Sequence, residues 1–110
     1  MKLGQHGRIL VSLVTEYVEG EIERWDFDLD YSGYVIEHFP AFQAETPRLS
    51  TRFANTIDRT YSYGAALSDD SFRESMAYAL DEFCSASNLS IYRKVTFPVQ
   101  DIPVVWIECL

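Results

Sequence analysis

The sequence has few of the residues on which most catalytic and metal-binding sites depend. Its 110 residues include two cysteines and two histidines. Cys84 and Cys109 have no metal-ligand spacing, and His6 and His38 form neither an HxxxH nor an HxH pair. A reactive thiol needs a neighbouring base, and neither histidine is adjacent to a cysteine. The sequence therefore predicts no metal and no cofactor, and both thiols are interpreted as packing residues of a reduced, cytoplasmic protein.

Long apolar runs and clusters of positive charge are also missing. No stretch approaches the roughly 18 consecutive apolar residues of a membrane span. The chain has nine basic and 17 acidic residues and a net charge of −8, and the bases are scattered along the chain without forming a cluster. There is no glycine-rich phosphate loop either. This balance disfavours nucleic acid and membrane as partners and favours a cationic protein.

The acidic residues are concentrated in one stretch, residues 16–30, with the sequence EYVEGEIERWDFDLD. Seven of its fifteen residues are acidic and Arg24 is its one base, so it carries −6 of the total charge of −8. Aromatic and aliphatic residues are interleaved with the acids. The pattern has two interpretations. The acids are either solvated charges beside core residues, or they belong to a binding surface on which charges steer a partner onto aromatic anchors.

Two catalytic or metal-binding interpretations of these acids are disfavoured. An acid/base pair needs carboxyl groups with different pKa values, whereas these acids are neighbours on predicted solvent faces. The alternation Asp26-x-Asp28-x-Asp30 is similar to the start of a calcium loop, with Glu37 at the twelfth place. However, Tyr31 occupies the sixth place, where such a loop needs glycine.

The chain is predicted to form a single, mainly α domain of about four helices with an extended C-terminal strap. A hydrophobic content of 47% and an aromatic content of 15% are typical of a folded protein. Apolar residues at helical spacing predict helices at residues 5–19, 24–38, 47–63 and 69–86. Residues 89–110 form the strap, because they are rich in β-branched residues and contain Pro98 and Pro103. Its extended segments, 91–97 and 104–108, are expected either to pair as a ribbon or to lie across the bundle.

Capping residues predict where the helices begin and end. Gly20 is expected to cap the first helix, and Pro40 is expected to end the second and open a loop. Thr46 followed by Pro47 predicts a hydroxyl cap and a proline at the first position of the third helix. Ser68 is expected to cap the fourth helix.

The second helix competes with a strand interpretation. Trp25, Phe27, Leu29 and Tyr31 alternate with aspartates, as in a strand with one acidic face. A helix is preferred because aspartate is poorly tolerated in strands and because the apolar spacing continues to His38 at helical period. In a helix, Trp25 and Leu29 lie beside the main apolar stripe, where they either widen the buried face or point outward.

The opening of the chain resembles a family of small acidic proteins. The pattern Tyr17-x-x-Gly20-x-Ile22-x-x-x-x-Phe27-x-x-x-Tyr31 is similar to the helix–glycine–helix opening of bacterial immunity proteins, of the colicin D type and of contact-dependent growth inhibition systems. The likeness covers about residues 9–35, and a helix at 68–83 is compatible with it. The resemblance implies a cytoplasmic inhibitor that binds one cognate toxin, often a nuclease.

Together the acidic stretch and the resemblance predict a non-enzymatic immunity protein whose partner is a cationic toxin, with a nuclease as the expected class. The expected steering groups and anchors are Glu19, Glu21, Glu23, Trp25, Asp26, Asp28, Asp30 and Tyr31. The alternative is an acidic regulatory or structural interaction module, such as an adaptor or a homodimer formed through residues 89–110. A small enzyme is a third class, and it would need a pocket with a perturbed carboxyl group.

Overall fold

The computed structural model describes residues 3–87 together with 90–91 and 107–108. The protein is mainly α, as predicted from the sequence. Its elements are α1 (Gln5–Val18), α2 (Arg24–Glu45), α3 (Pro47–Phe53), a π-helical segment (Ala54–Asp58), α4 (Arg59–Tyr63), α5 (Asp69–Ser87), β1 (Ser90–Ile91) and β2 (Ile107–Glu108). None of the helices in this described part combines the length and the apolar character that crossing a membrane requires.

Helix α1 has the predicted stripe and the predicted glycine cap. Leu10, Val14 and Tyr17 are fully buried. Gly20 has a φ of 81°, which is the left-handed conformation that glycine adopts without a Cβ clash. The Gly20 N–H donates to the Tyr17 carbonyl, and the Glu21 N–H donates to the Glu16 carbonyl. These two bonds satisfy carbonyls that the end of the helix would otherwise leave unpaired.

Helix α2 begins at Arg24 as predicted, but the prediction that Pro40 ends it is wrong. The helix continues through the proline to Glu45. A proline removes one backbone hydrogen bond and introduces a clash, a cost that packing must exceed. Phe42, two residues beyond Pro40, is fully buried, and Phe39 packs against the same core. Burial of these two rings outweighs the local preference of proline, and the predicted loop after residue 38 is instead helical.

The predicted helix at residues 47–63 is confirmed in extent, with a π-helical segment in its middle. Pro47 occupies the first helical positions as expected. The predicted hydroxyl cap from Thr46 is wrong, since that side chain makes no cap bond to α3. Its Oγ1 donates instead to the Phe42 carbonyl at 3.4 Å, because Thr46 also closes the end of α2.

The last helix and the strap agree with the sequence as far as they are described. Ser68 caps α5, because its hydroxyl oxygen accepts the Ser71 N–H at 3.4 Å. Cys84 is buried, as expected for a packing residue. β1 pairs with β2 in antiparallel register, with Ser90 opposite Glu108 and Ile91 opposite Ile107. The rest of the predicted extended segments, and Cys109, lie outside the described residues.

Aromatic rings make up much of the core. Tyr17 of α1 stacks on Phe27 of α2 with ring centroids 4.4 Å apart, and Tyr17 and Phe27 both contact Phe72 of α5. At the other end of the core, Phe53 meets Phe42 and Phe83 edge to face. Since α2 contributes Phe27 and Phe42 to these two clusters, its outward face is held in a fixed orientation along its length.

We expect Gly7→Ala to destabilise the fold, although alanine normally favours a helix. A Cβ at Gly7 would lie 2.7 Å from ring carbons of Phe42, which is fully buried and cannot move aside freely. Overpacking of this kind costs about 1–3 kcal/mol. Gly33→Ala is the control, because a Cβ there meets nothing within 4 Å. This substitution should raise the free energy of unfolding by up to about 1 kcal/mol. Urea unfolding measures the free energy of unfolding of both variants. Equal stabilisation by the two substitutions would contradict the close approach of the Phe42 ring to Gly7.

Candidate partner-binding surface

The first turns of α2 present an apolar and acidic surface to solvent. Trp25 is 71% exposed and Leu29 is 62% exposed, whereas Phe27 and Tyr31 are buried. Helical periodicity turns these two pairs to opposite sides, so the alternation seen in the sequence becomes one inward and one outward face. The sequence left open whether Trp25 widens the buried face or points outward, and in the structure it points outward.

Most of the predicted acidic residues lie on or beside this surface. Glu21, Glu23, Asp26, Asp28 and Asp30 are all exposed. Glu19, also predicted as a steering group, is half-buried at the end of α1. The exposed acids of the 20–23 turn and of α2 therefore lie within five residues of the exposed Trp25. We call the surface formed by Glu21, Glu23, Trp25, Asp26, Leu29 and Asp30 the acidic face.

Arg24, the one base of the acidic stretch, turns away from this surface. Its guanidinium donates to the backbone carbonyls of Gly64, Ala65 and Leu67, in the turn before α5. It also lies 4.3 Å from the centre of the Phe72 ring and 3.6 Å from the Asp28 carboxylate. Arg24 thus ties the start of α2 to the α4–α5 turn. Because Asp28 is the acid that neutralises it, the negative charge of the acidic face remains.

We expect Arg24→Met to lower the free energy of unfolding by about 2 kcal/mol, since hydrogen bonds from a charged donor contribute about 1.5–3 kcal/mol. The association rate with a cationic partner should stay the same or rise, because only positive charge is removed. Arg48→Met is the control, since Arg48 is exposed on α3. Chemical denaturation measures the free energy of unfolding of the Arg24→Met and Arg48→Met variants. Equal stability of both variants would contradict a structural role for Arg24.

The sequence predicts Tyr31 as an anchor, and the structure corrects this. Its side chain is 2% exposed, and its hydroxyl donates to Asp58 Oδ1 at 2.8 Å. Burial, and secondarily the negative charge of Asp58, raise the pKa of the Tyr31 hydroxyl well above its usual value. Tyr61 stacks on the ring, with centroids 4.0 Å apart. Tyr31 is therefore a core residue and is not available to a partner.

A histidine pair was missed by sequence reasoning. The Nδ1 atoms of His6 in α1 and His38 in α2 lie 2.9 Å apart, so one ring donates a hydrogen bond to the other. The residues are 32 positions apart, and no local spacing could have indicated the contact. The Glu37 carboxylate lies 3.7 Å from His38 Nε2. The part of the chain that the structure describes contains no group of three or more His, Cys, Asp or Glu residues that could hold a metal ion.

A concave region lies between the π-helical segment and α5, and its lining includes Gly64 and Leu67, whose carbonyls accept hydrogen bonds from Arg24. Its rim carries Tyr63 and Tyr78, which are 77% and 67% exposed. The Arg59 guanidinium lies 5.7 Å from the centre of the Tyr63 ring, and Glu82 lines the opposite side. Charges of both signs meet here, so this groove has no net charge preference comparable with that of the acidic face.

Comparison of the chain with known protein families, with curated proteins and with solved structures gives no match.

Proposed function

We propose that this protein is an immunity protein, a non-enzymatic cytoplasmic inhibitor that binds and neutralises a cognate cationic toxin domain, with a nuclease as the expected class. The observation that carries the proposal is the acidic face, where an exposed tryptophan stands among carboxylates while the neighbouring base, Arg24, is engaged elsewhere. The sequence resemblance over residues 9–35 supports the same function.

The physics of such a surface suits rapid capture of a basic protein. Concentrated negative charge raises the association rate with a positively charged partner, and the effect weakens as salt screens it. A large exposed aromatic ring then supplies apolar contact area, and Trp is enriched among residues that dominate binding energy. An acidic surface can also occupy the site where a nuclease holds phosphates. The acidic face of α2 offers both steering charge and an anchor, Trp25.

The experiment that tests this proposal is a growth assay. The C-terminal domain encoded by the gene immediately upstream is expressed in a susceptible cell, with and without this chain. We expect growth arrest that this chain relieves and that an unrelated acidic protein of similar size does not. Arrest that persists when this chain is present at equal or higher level would contradict the proposal. The alternative function, an interaction module, would then be favoured. Analytical ultracentrifugation would test it by measuring whether the chain forms a dimer.

A further inference from the structure

Three exposed apolar side chains of α2 form a row that extends beyond the acidic stretch. Ile36 is 78% exposed, and it lies on the same side of the helix as Trp25 and Leu29. At 3.6 residues per turn, the three side chains point within about 40° of one another and span about 16 Å. Large apolar side chains exposed singly need no explanation, but three aligned along one helix do. We call Trp25, Leu29 and Ile36 the apolar row.

A row of carboxylates runs parallel to the apolar row. Asp26, Asp30 and Glu37 each follow one residue after a member of the apolar row, so they have the same spacing. All three are exposed. These three carboxylates, which we call the acidic row, therefore lie about 100° around the helix from the apolar row, over three turns of α2.

The middle of the apolar row contains a gap. Ser32 and Gly33, between Leu29 and Ile36, are exposed, and a Cβ at Gly33 would meet nothing within 4 Å. Glycine in the interior of an exposed helix costs about 1 kcal/mol relative to alanine. No contact described around Gly33 requires it. A gap of this kind lets the backbone or a bulky side chain of another helix approach α2 closely.

We propose that this face binds a basic amphipathic helix of the partner, laid along α2. The apolar residues of the partner helix pack on Trp25, Leu29 and Ile36, and its lysines or arginines lie along the acidic row. Charge complementarity selects this occupant over a second copy of the chain, because two such faces would bring like charges together. This inference rests on the proposed function, and adds the form and chemistry of the element that the partner inserts.

The probe is a synthetic amphipathic helical peptide of about 18 residues, or five turns, with leucines on one face and lysines on one flank. Two-dimensional NMR of the labelled protein follows its binding. We expect shifts in the amides of residues 25–37 and in the Trp25 indole N–H. A control peptide with glutamate in place of lysine should leave these signals unchanged. Equal binding of both peptides, no binding at millimolar peptide, or shifts confined to the Tyr63–Tyr78 groove would overturn the inference.

Two variants test the predicted contacts. Ile36→Ser shortens the apolar row, and Gly33→Gln fills the gap with a neutral residue that favours helices. Each should weaken peptide binding about tenfold or more, which corresponds to about 1.4 kcal/mol. Tyr78→Ser on α5 is the matched control, since it also removes an exposed large side chain. Urea unfolding verifies that the variants remain folded. Peptide affinity unchanged by both Ile36→Ser and Gly33→Gln would exclude the helix-docking geometry.

The same variants separate this inference from the proposed function. If Ile36→Ser and Gly33→Gln protect cells from the toxin as well as wild type does, the docking inference fails while the immunity function stands. If the wild-type chain binds the basic peptide as expected but gives no protection, the immunity function fails and the docking face remains. Concentration-dependent dimerisation that Ile36→Ser abolishes would assign the face to a second copy and overturn the inference.

Discussion

Asp26→Lys combined with Asp30→Lys is expected to slow association with the cationic partner by about tenfold or more at low salt. These exposed carboxylates border Trp25, and their replacement changes the charge of the acidic face by four units. The logarithm of the association rate should also depend less steeply on ionic strength, because the steering field is weaker. Stopped-flow or surface-based kinetics at two or more salt concentrations provides the measurement.

The matched control is Asp70→Lys combined with Glu74→Lys. These exposed acids stand four residues apart on α5, as Asp26 and Asp30 do on α2, and their replacement changes the net charge equally. If global charge alone steers the partner, both pairs slow association equally. If the acidic face steers the partner, the α2 pair slows association clearly more than the α5 pair does. Equal slowing by both pairs would contradict a special role of the acidic face.

The second large effect is a loss of stability in alkali. The Tyr31 hydroxyl donates to Asp58, and the Tyr17 hydroxyl donates to Asp69 Oδ1 at 2.8 Å. Burial, followed by the adjacent carboxylate, raises the pKa of both hydroxyls above the usual value near 10. The folded state therefore keeps protons that the unfolded chain releases above about pH 10. Stability contributed by these groups is complete below that pH and falls as the pH rises toward the folded-state pKa.

We expect the free energy of unfolding to be nearly constant between pH 7 and 9 and to fall above pH 10. Each buried tyrosine contributes a slope of about 1.4 kcal/mol per pH unit. Tyr31→Phe removes one ionisable hydroxyl and should make the slope shallower. Tyr63→Phe, at an exposed position, should leave it unchanged. Urea unfolding at a series of pH values measures the slopes. An identical slope for wild type and Tyr31→Phe would contradict the assignment.

Local sequence signals predicted most of the helices, because apolar spacing and end caps are properties of neighbouring residues. The stripe of α1 and the glycine at residue 20 specified where that helix packs and ends. Ser68 marked the start of α5 in the same way. Pro40 led to a wrong helix end, because the destabilisation that proline causes inside a helix is local and can be read from the sequence. The burial of Phe39 and Phe42, which offsets that destabilisation, depends on contacts with other helices.

The composition of the proposed binding surface was predictable from the sequence, but its geometry was not. The acidic stretch indicated the helix that carries the proposed surface. Its helical spacing placed Trp25 beside the main apolar stripe, but it did not show that Trp25 is exposed or that Tyr31 is buried against Asp58. Arg24 looked like part of the surface charge, and its bonds to the turn at residues 64–67 appear only once the helices are assembled. The extension of the apolar row to Ile36 was missed although Ile36 lies within the predicted helix, because its exposure depends on how α2 packs against the other helices.

The most direct test of the central claim measures growth protection by two matched variants. One variant carries Trp25→Ala, Asp26→Lys and Asp30→Lys on α2, and the other carries Tyr78→Ala, Asp70→Lys and Glu74→Lys on α5. Both remove one exposed aromatic ring and reverse two exposed charges. The immunity function and its acidic face predict that the α5 variant protects against the toxin as wild type does, whereas the α2 variant, expressed and folded to the same level, does not. Full protection by the α2 variant would contradict the account.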